Sequence, residues 1–258
     1  MNDSQVISSA RGGFMLGHVV ATGAGRAMMD RRGDPLHDFI LGLTGKPRPR
    51  VLFLGTATGD NPDYTVSFYE TYNSDRCAPF HLRLFSRGIT DLREYLLSMD
   101  VIHVGGGNTA NMLDVWRRQG VDVLLREAWE NGAVMTGGSA GAICWFQGGT
   151  TDSFGPTLQI LPEGLGLLAG SCCPHYDAED QRQPLYHRAI QKGELPPGYA
   201  IDNMVSLHFH GAELVDAVSS NVHGRAWTVA AEGDRVVETP IPVRHLVSTG
   251  GPMTGPST

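Results

Sequence analysis

Short, nearly continuous apolar runs recur along the first half of the chain, each followed by a segment with helical spacing. His18-Val19-Val20-Ala21 reads as a strand leading into Thr22-Gly23-Ala24-Gly25. Residues 35–43 have a helical pattern, and Val51-Leu52-Phe53-Leu54-Gly55-Thr56-Ala57 is a buried strand. A helix over 66–72, a strand over 81–85 and a helix over 89–97 follow. Val101-Ile102-His103-Val104 is a strand that ends at Gly105-Gly106-Gly107-Asn108. Helices over 111–118 and 123–131 precede the strand Val134-Met135. Strands that are apolar at successive positions are buried on both faces, as in a parallel sheet covered by helices on both sides. The expected class is α/β, with a mostly parallel sheet.

Beyond residue 150 the pattern changes to short strands at 205–209, 227–231 and 235–239. This half is expected to add antiparallel strands at the sheet's edge. No internal repeat or linker interrupts the 258 residues, which read as a single α/β domain over 1–258. The tail over 248–258, rich in Gly, Pro, Ser and Thr, is expected to fray.

Composition narrows the partners. Hydrophobic residues make up 41% and charged residues 18%, the balance of a globular protein. The formal charge is −7 and no block of Lys and Arg occurs, so a nucleic-acid partner is not expected. Four cysteines, Cys77, Cys144, Cys172 and Cys173, suit a reducing compartment, and the expected location is cytoplasmic. The N-terminal residues lack a signal-peptide pattern. Residues 131–151 carry no charge, but six glycines and several polar side chains argue against a membrane span. A second copy of the chain, as a homodimer, is the one protein partner left in view.

The chemistry concentrates at Gly137-Gly138-Ser139-Ala140-Gly141, a G-x-S-x-G pattern between a strand and a helix-capable run. Such a turn exposes a hydroxyl at its apex, and the first helical amides are free to bind negative charge. Four loops, 22–26, 55–61, 105–109 and 137–141, follow the carboxyl ends of strands, where open α/β sheets bind ligands. Ser139 needs a base and two oxyanion donors. The amides of Ala140 and Gly107 are the candidate donors. Among ten histidines, His175 lies in a polar loop after Cys172-Cys173-Pro174 and is the candidate base. His208 and His210, with Cys172, Cys173 and His175, match no standard zinc spacing, so no metal is expected. Gly23-Ala24-Gly25 lacks the third small residue of a dinucleotide loop, the position being Met28, so no nucleotide cofactor is expected either.

Four blocks in order then resemble one family. They are residues 105–109 (Gly105-Gly106-Gly107-Asn108-Thr109), Gly137 to Ala142, Pro174-His175-Tyr176-Asp177, and Gly198-Tyr199-Ala200-Ile201-Asp202-Asn203. Over residues 16–232 the chain resembles the peptidase E-like serine peptidases, which include cyanophycinases. The resemblance implies a flavodoxin-like sheet related to class I glutamine amidotransferases, a Ser-His-Asp/Glu triad, no cofactor, and a small peptide with N-terminal aspartate as substrate. It places the nucleophile at Ser139, the base at His175 and the oxyanion hole at Gly107 and Ala140. It places substrate contacts at Asn108, Asp152 and Arg182. The family's acid falls on Asn203, preceded by Asp202, and either residue is a candidate to orient His175. An amide in that place leaves open a non-catalytic small-molecule or peptide-binding homologue; a cyanophycinase-like hydrolase is a further alternative, against which stands the absence of the additional motifs that cyanophycinases carry. An amidohydrolase or acyltransferase on the same fold is another, and Gly-Gly-Ser in place of a cysteine nucleophile argues against glutamine amidotransfer.

Overall fold

The computed structural model describes residues 16–25 and 34–247. Met28, the end of the 22–26 loop and the tail over 248–258 lie outside the described residues. The first half alternates as its sequence predicts. Strand β1 (His18–Thr22) is followed by α1 (Pro35–Gly42), β2 (Arg50–Leu54), α2 (Pro62–Thr71), β3 (Ala78–Leu82) and α3 (Leu92–Leu97). Then come β4 (Val101–Val104), α4 (Thr109–Gln119), α5 (Val121–Glu130) and β5 (Val134–Gly138). Four of these helices start at an Asp or Asn whose side chain accepts a first-turn amide: Asp34, Asn61, Asp91 and Asn108. Each such cap is worth about 1 kcal/mol and sets where the preceding loop stops.

The second half contains a short helix α6 (Ala140–Ile143), β6 (Gly148–Thr151), β7 (Gln159–Leu161), β8 (Ser171–Cys173), α7 (Arg182–Gln191) and β9 (Gly198–Ile201). The remaining strands are β10 (Val205–His210), β11 (Glu213–Ser219), β12 (Ala226–Glu232), β13 (Arg235–Ile241) and β14 (Arg244–His245). The principal sheet has the order β14-β11-β10-β1-β5-β4-β2-β3. From β1 to β3 its pairings are all parallel, and β10 joins β1 antiparallel, as the C-terminal half was expected to do.

The strands around 227–231 and 235–239 exist as β12 and β13, but they do not extend this sheet. They belong to a second, six-stranded sheet of order β13-β12-β9-β8-β6-β7. Alternation along a strand says which side is buried, not which neighbour it pairs with. Helix α7 also escaped the sequence pattern. Pro184 sits in its first turn, where a missing amide costs nothing, and no side chain caps its start.

One apolar cluster draws from both sheets. It includes Val19, Ile102, Val104 and Met135 from the principal sheet and Cys172, Ile201 and Ala226 from the second. Phe146, Tyr199 and Phe209 meet ring to ring at 5.5–5.9 Å, which ties β9 to β10. That tie places the loop between those two strands over the carboxyl end of β1, next to the carboxyl end of β5. Among the described residues, no helix is long and apolar enough to cross a membrane.

Candidate active site

Ser139 stands alone between β5 and α6 with φ 55° and ψ −114°. A non-glycine residue in that region stores strain of about 1–3 kcal/mol and persists only where its surroundings hold it. Here the holding groups are explicit. The Ser139 amide donates to the Thr22 carbonyl at 3.2 Å, and its carbonyl accepts from Ala142 and Ile143. A Cβ on Gly141 would lie 2.3 Å from the Val104 carbonyl oxygen, so only glycine lets α6 pack this tightly on β4. The turn therefore pushes the hydroxyl outward, and Ala140 opens α6 with an amide that has no carbonyl one turn earlier.

His175 follows β8 and also has a positive φ, 54°. Its amide donates to Gly23. Its Nε2 lies 2.9 Å from Ser139 Oγ, and its Nδ1 lies 2.8 Å from Asn203 Oδ1. An amide oxygen only accepts, so the imidazole carries its proton on Nδ1 and offers the Nε2 lone pair to the serine hydroxyl. Asn203 sits in the turn between β9 and β10. The Asp177 carboxylate accepts its amide at 2.8 Å, and the next amide, of Met204, donates to Ala24.

Asp202 is turned the other way. Its carboxylate accepts from the Arg225 amide at 3.1 Å and from Arg225 Nε at 3.3 Å, and it is 1% exposed. Of the two neighbours, Asn203 meets the imidazole and Asp202 meets Arg225. Burial lowers the His175 pKa below its ordinary value, against the Asn203 hydrogen bond, which raises it; the Arg182 charge lowers it further, while Glu179 and Asp152 raise it. At neutral pH the ring is therefore uncharged and ready to accept a proton.

Two cavities meet at this pair. The larger, about 520 Å³, is lined by Ser139, His175, Gly105, Gly106, Gly107 and part of α2. The smaller, about 230 Å³, is polar and holds Asn108, Asp152, Ser153, Glu179 and Arg182 beside Gly107, Ser139 and His175. Gly107 has φ 134°, and a Cβ there would lie 2.5 Å from the Ala57 carbonyl oxygen, so this wall too admits only glycine.

Arg182 is buried. Its Nε pairs with Glu179 at 2.9 Å, and its Nη1 donates to the Thr150 carbonyl and hydroxyl at 2.7 and 3.2 Å. Among the described residues no hydrogen bond forms at its Nη2, and the side chain lines the smaller cavity. Asn108 is committed to the scaffold: its Oδ1 caps α4 and its Nδ2 donates to the Ser153 carbonyl. The second N–H of that amide has no bond among the described residues, and Asn108 lines the smaller cavity. The sequence reading did not single out Glu179, although its spacing three residues before Arg182 is the signal of an ion pair on one turn.

The histidines and cysteines weighed for a metal lie elsewhere or are occupied. His208 Nε2 bonds His18 Nδ1 at 2.9 Å, and burial pushes the Cys173 thiol up to about 12 and Cys172 well above its ordinary value. Among the described residues, no group of three or more His, Cys, Asp and Glu is arranged to hold a metal ion.

Comparison with known proteins converges. The sequence model of peptidase family S51 matches residues 19–216. The uncharacterized peptidase YgaJ of Bacillus subtilis (strain 168) is 43% identical over 228 residues, covering 88% of this chain and 98% of that protein. Among solved structures, a peptidase from an acI-B1 Actinobacterium superposes with a TM-score of 0.63 at 17% identity, covering 92% of this chain and 98% of the other. A Listeria monocytogenes EGD-e protein provisionally described as peptidase E gives 0.57 at 19% identity, covering 78% of this chain and 97% of the other. The two structural likenesses speak to fold.

Proposed function

Because the chain belongs to peptidase family S51, we propose that it is a serine peptidase that removes N-terminal aspartate from short peptides, Asp-X dipeptides among them, through an acyl-enzyme on Ser139. The observation that carries this reading is the unbroken line from Ser139 Oγ through His175 to Asn203 Oδ1, with both contacts under 3 Å.

In this reading His175 Nε2 takes the hydroxyl proton as Oγ attacks the peptide carbonyl. The developing oxyanion is met by the amides of Gly107 and Ala140. The imidazolium then returns its proton to the leaving amine, and a water molecule repeats the sequence to release aspartate. Asn203 holds the ring and its tautomer but contributes no charge to the imidazolium. The carboxylates whose charge favours the protonated ring, Glu179 and Asp152, lie in the smaller cavity. There Arg182 Nη2 faces the aspartyl carboxylate, a planar donor matched to a planar acceptor. Asp152 receives the α-ammonium group. The four cysteines are buried and free, which suits a cytoplasmic peptidase.

Two measurements test this. The first is the pH profile. Activity needs neutral His175, and burial holds its pKa below the ordinary 6.5. So kcat/KM rises with pH through a midpoint below that value and is flat through neutrality. A midpoint above 6.5 contradicts the assignment of His175 in this environment. The second compares Asp-Ala with Asn-Ala as substrates. Hydrogen bonds to charged groups contribute about 1.5–3 kcal/mol, so aspartate should be preferred by about tenfold or more. Arg182→Met should reduce that preference to near one. An aspartate preference that survives in the variant removes Arg182 from the recognition of the acyl residue.

A further inference from the structure

The aspartyl residue takes only the smaller cavity, and the larger one also opens beside Ser139. It runs from Ser139 and His175 across Gly105, Gly106 and Gly107 to the first turns of α2, where Asp63, Tyr64 and Ser67 form its far wall. His103, the third residue of β4, lines it from below. The other residues of that strand, Val101, Ile102 and Val104, are aliphatic and fully buried. The His103 ring lies 6.1 Å from Phe53, 6.3 Å from Phe68 and 5.6 Å from Tyr72, centroid to centroid. By its surroundings this is a place for another apolar side chain.

The imidazole is 1% exposed; its Nδ1 is closed off and makes no hydrogen bond among the described residues, so Nε2 is the one ring nitrogen an occupant of the cavity can meet. A buried polar group without a partner bears its whole desolvation cost. Burial also holds its pKa down at about 3, so the ring is uncharged throughout the working pH range. To the cavity it presents one nitrogen, donor or acceptor according to the tautomer, and no charge.

We propose that this cavity receives the leaving-group residue of the substrate, and that His103 selects there for an uncharged, hydrogen-bonding side chain, a carboxamide foremost. The inference rests on the reading of Ser139 as nucleophile and of the smaller cavity as the seat of the aspartyl residue. An N-terminal aspartate carries both charges and belongs with Arg182 and Asp152. The residue after the scissile bond must then cross Ser139 into the larger space. A carboxamide both donates and accepts, so it satisfies the neutral imidazole in either tautomer. An aliphatic side chain leaves His103 without a partner. A carboxylate finds no cation in this ring, and the exposed Asp63 at the rim repels it.

The test compares three dipeptides of matched length, Asp-Gln, Asp-Met and Asp-Glu, by kcat/KM on the wild type and on His103→Leu and His103→Phe. Each ratio is read within one protein, so differences in yield or stability cancel. The wild type should prefer Asp-Gln by about tenfold over each of the others, one hydrogen bond's worth of discrimination. In both variants the Gln-to-Met ratio should fall to near one. A wild-type ratio near one, with Asp-X hydrolysis present, overturns the inference and leaves the peptidase reading standing. So does a ratio that survives both replacements. His37 Nδ1 and Tyr72 Oη are also buried without partners nearby, the two rings 5.1 Å apart. If a bound water serving these three groups is all that His103 is for, the variants change Tm and leave the ratios alone, which also overturns it. Failure of the wild type to cleave any of the three removes the Asp-X reading and this inference with it.

Discussion

Ser139→Ala lowers kcat on an aspartyl dipeptide by about 10⁴- to 10⁶-fold, the scale seen when one member of a nucleophile–base unit is removed. The change should leave the fold intact. Alanine keeps the Cβ that already tolerates φ 55°, and the backbone bonds that hold the turn, to Thr22 and from Ala142 and Ile143, do not involve the hydroxyl. The single interaction lost is the 2.9 Å contact with His175 Nε2. Steady-state kinetics with a matched thermal melt separates the two effects. Tm should move by a few degrees at most, while labelling by a fluorophosphonate disappears. Turnover near that of the wild type would end the serine-peptidase proposal, and a collapse in Tm would show that the hydroxyl supports the elbow.

The second large effect is a gain. Asn203→Asp replaces a neutral acceptor by a carboxylate of the same shape, 2.8 Å from His175 Nδ1. The imidazolium formed during attack is then stabilised by charge. The reverse change in another serine protease costs on the order of 10⁴ in rate. The gain here should fall below that ceiling, at about tenfold or more, because Asp177 already bonds the Asn203 amide and two carboxylates would then be close together. The pH profile must move with it. A carboxylate favours the charged ring, so the His175 pKa rises and the acid limb of kcat/KM shifts to higher pH. Asp202 provides the contrast. Its buried carboxylate serves Arg225, so Asp202→Asn should lower Tm and leave the acid limb where it is in the wild type. If Asn203→Asp gives no gain and Asp202→Asn moves the acid limb, the orienting role belongs to Asp202 in solution.

The parallel half of the sheet and its helices were legible because their signals are local. Apolar runs such as 51–54, and 101–104 with its single His103, can be satisfied only by burial on both faces; helical spacing alone finds the helices but starts three of them at 66, 89 and 111, against the capped starts at 62, 92 and 109. The glycines around Ser139 were legible for the same reason, since a sharp turn needs small residues at fixed offsets. By itself the sequence thus determined an α/β scaffold, a sharp serine turn between a strand and a helix, and the candidate partners of that serine.

What it left open was every relation between distant residues. The strands of 226–241 pair with β9 and not with the principal sheet, because partner choice depends on which faces remain uncovered once the chain has collapsed. Asp202 and Asn203 are adjacent and chemically similar. Only the register of β9 against β12, which puts Arg225 beside Asp202, turns Asn203 to the imidazole. Arg182 and Glu179 become one wall of a cavity, and His103 lines another, because α7 and β4 converge on the same end of the sheets. Local chemistry is written in the order of residues, whereas the pairing of side chains across dozens of positions follows from packing, which no short window of sequence contains.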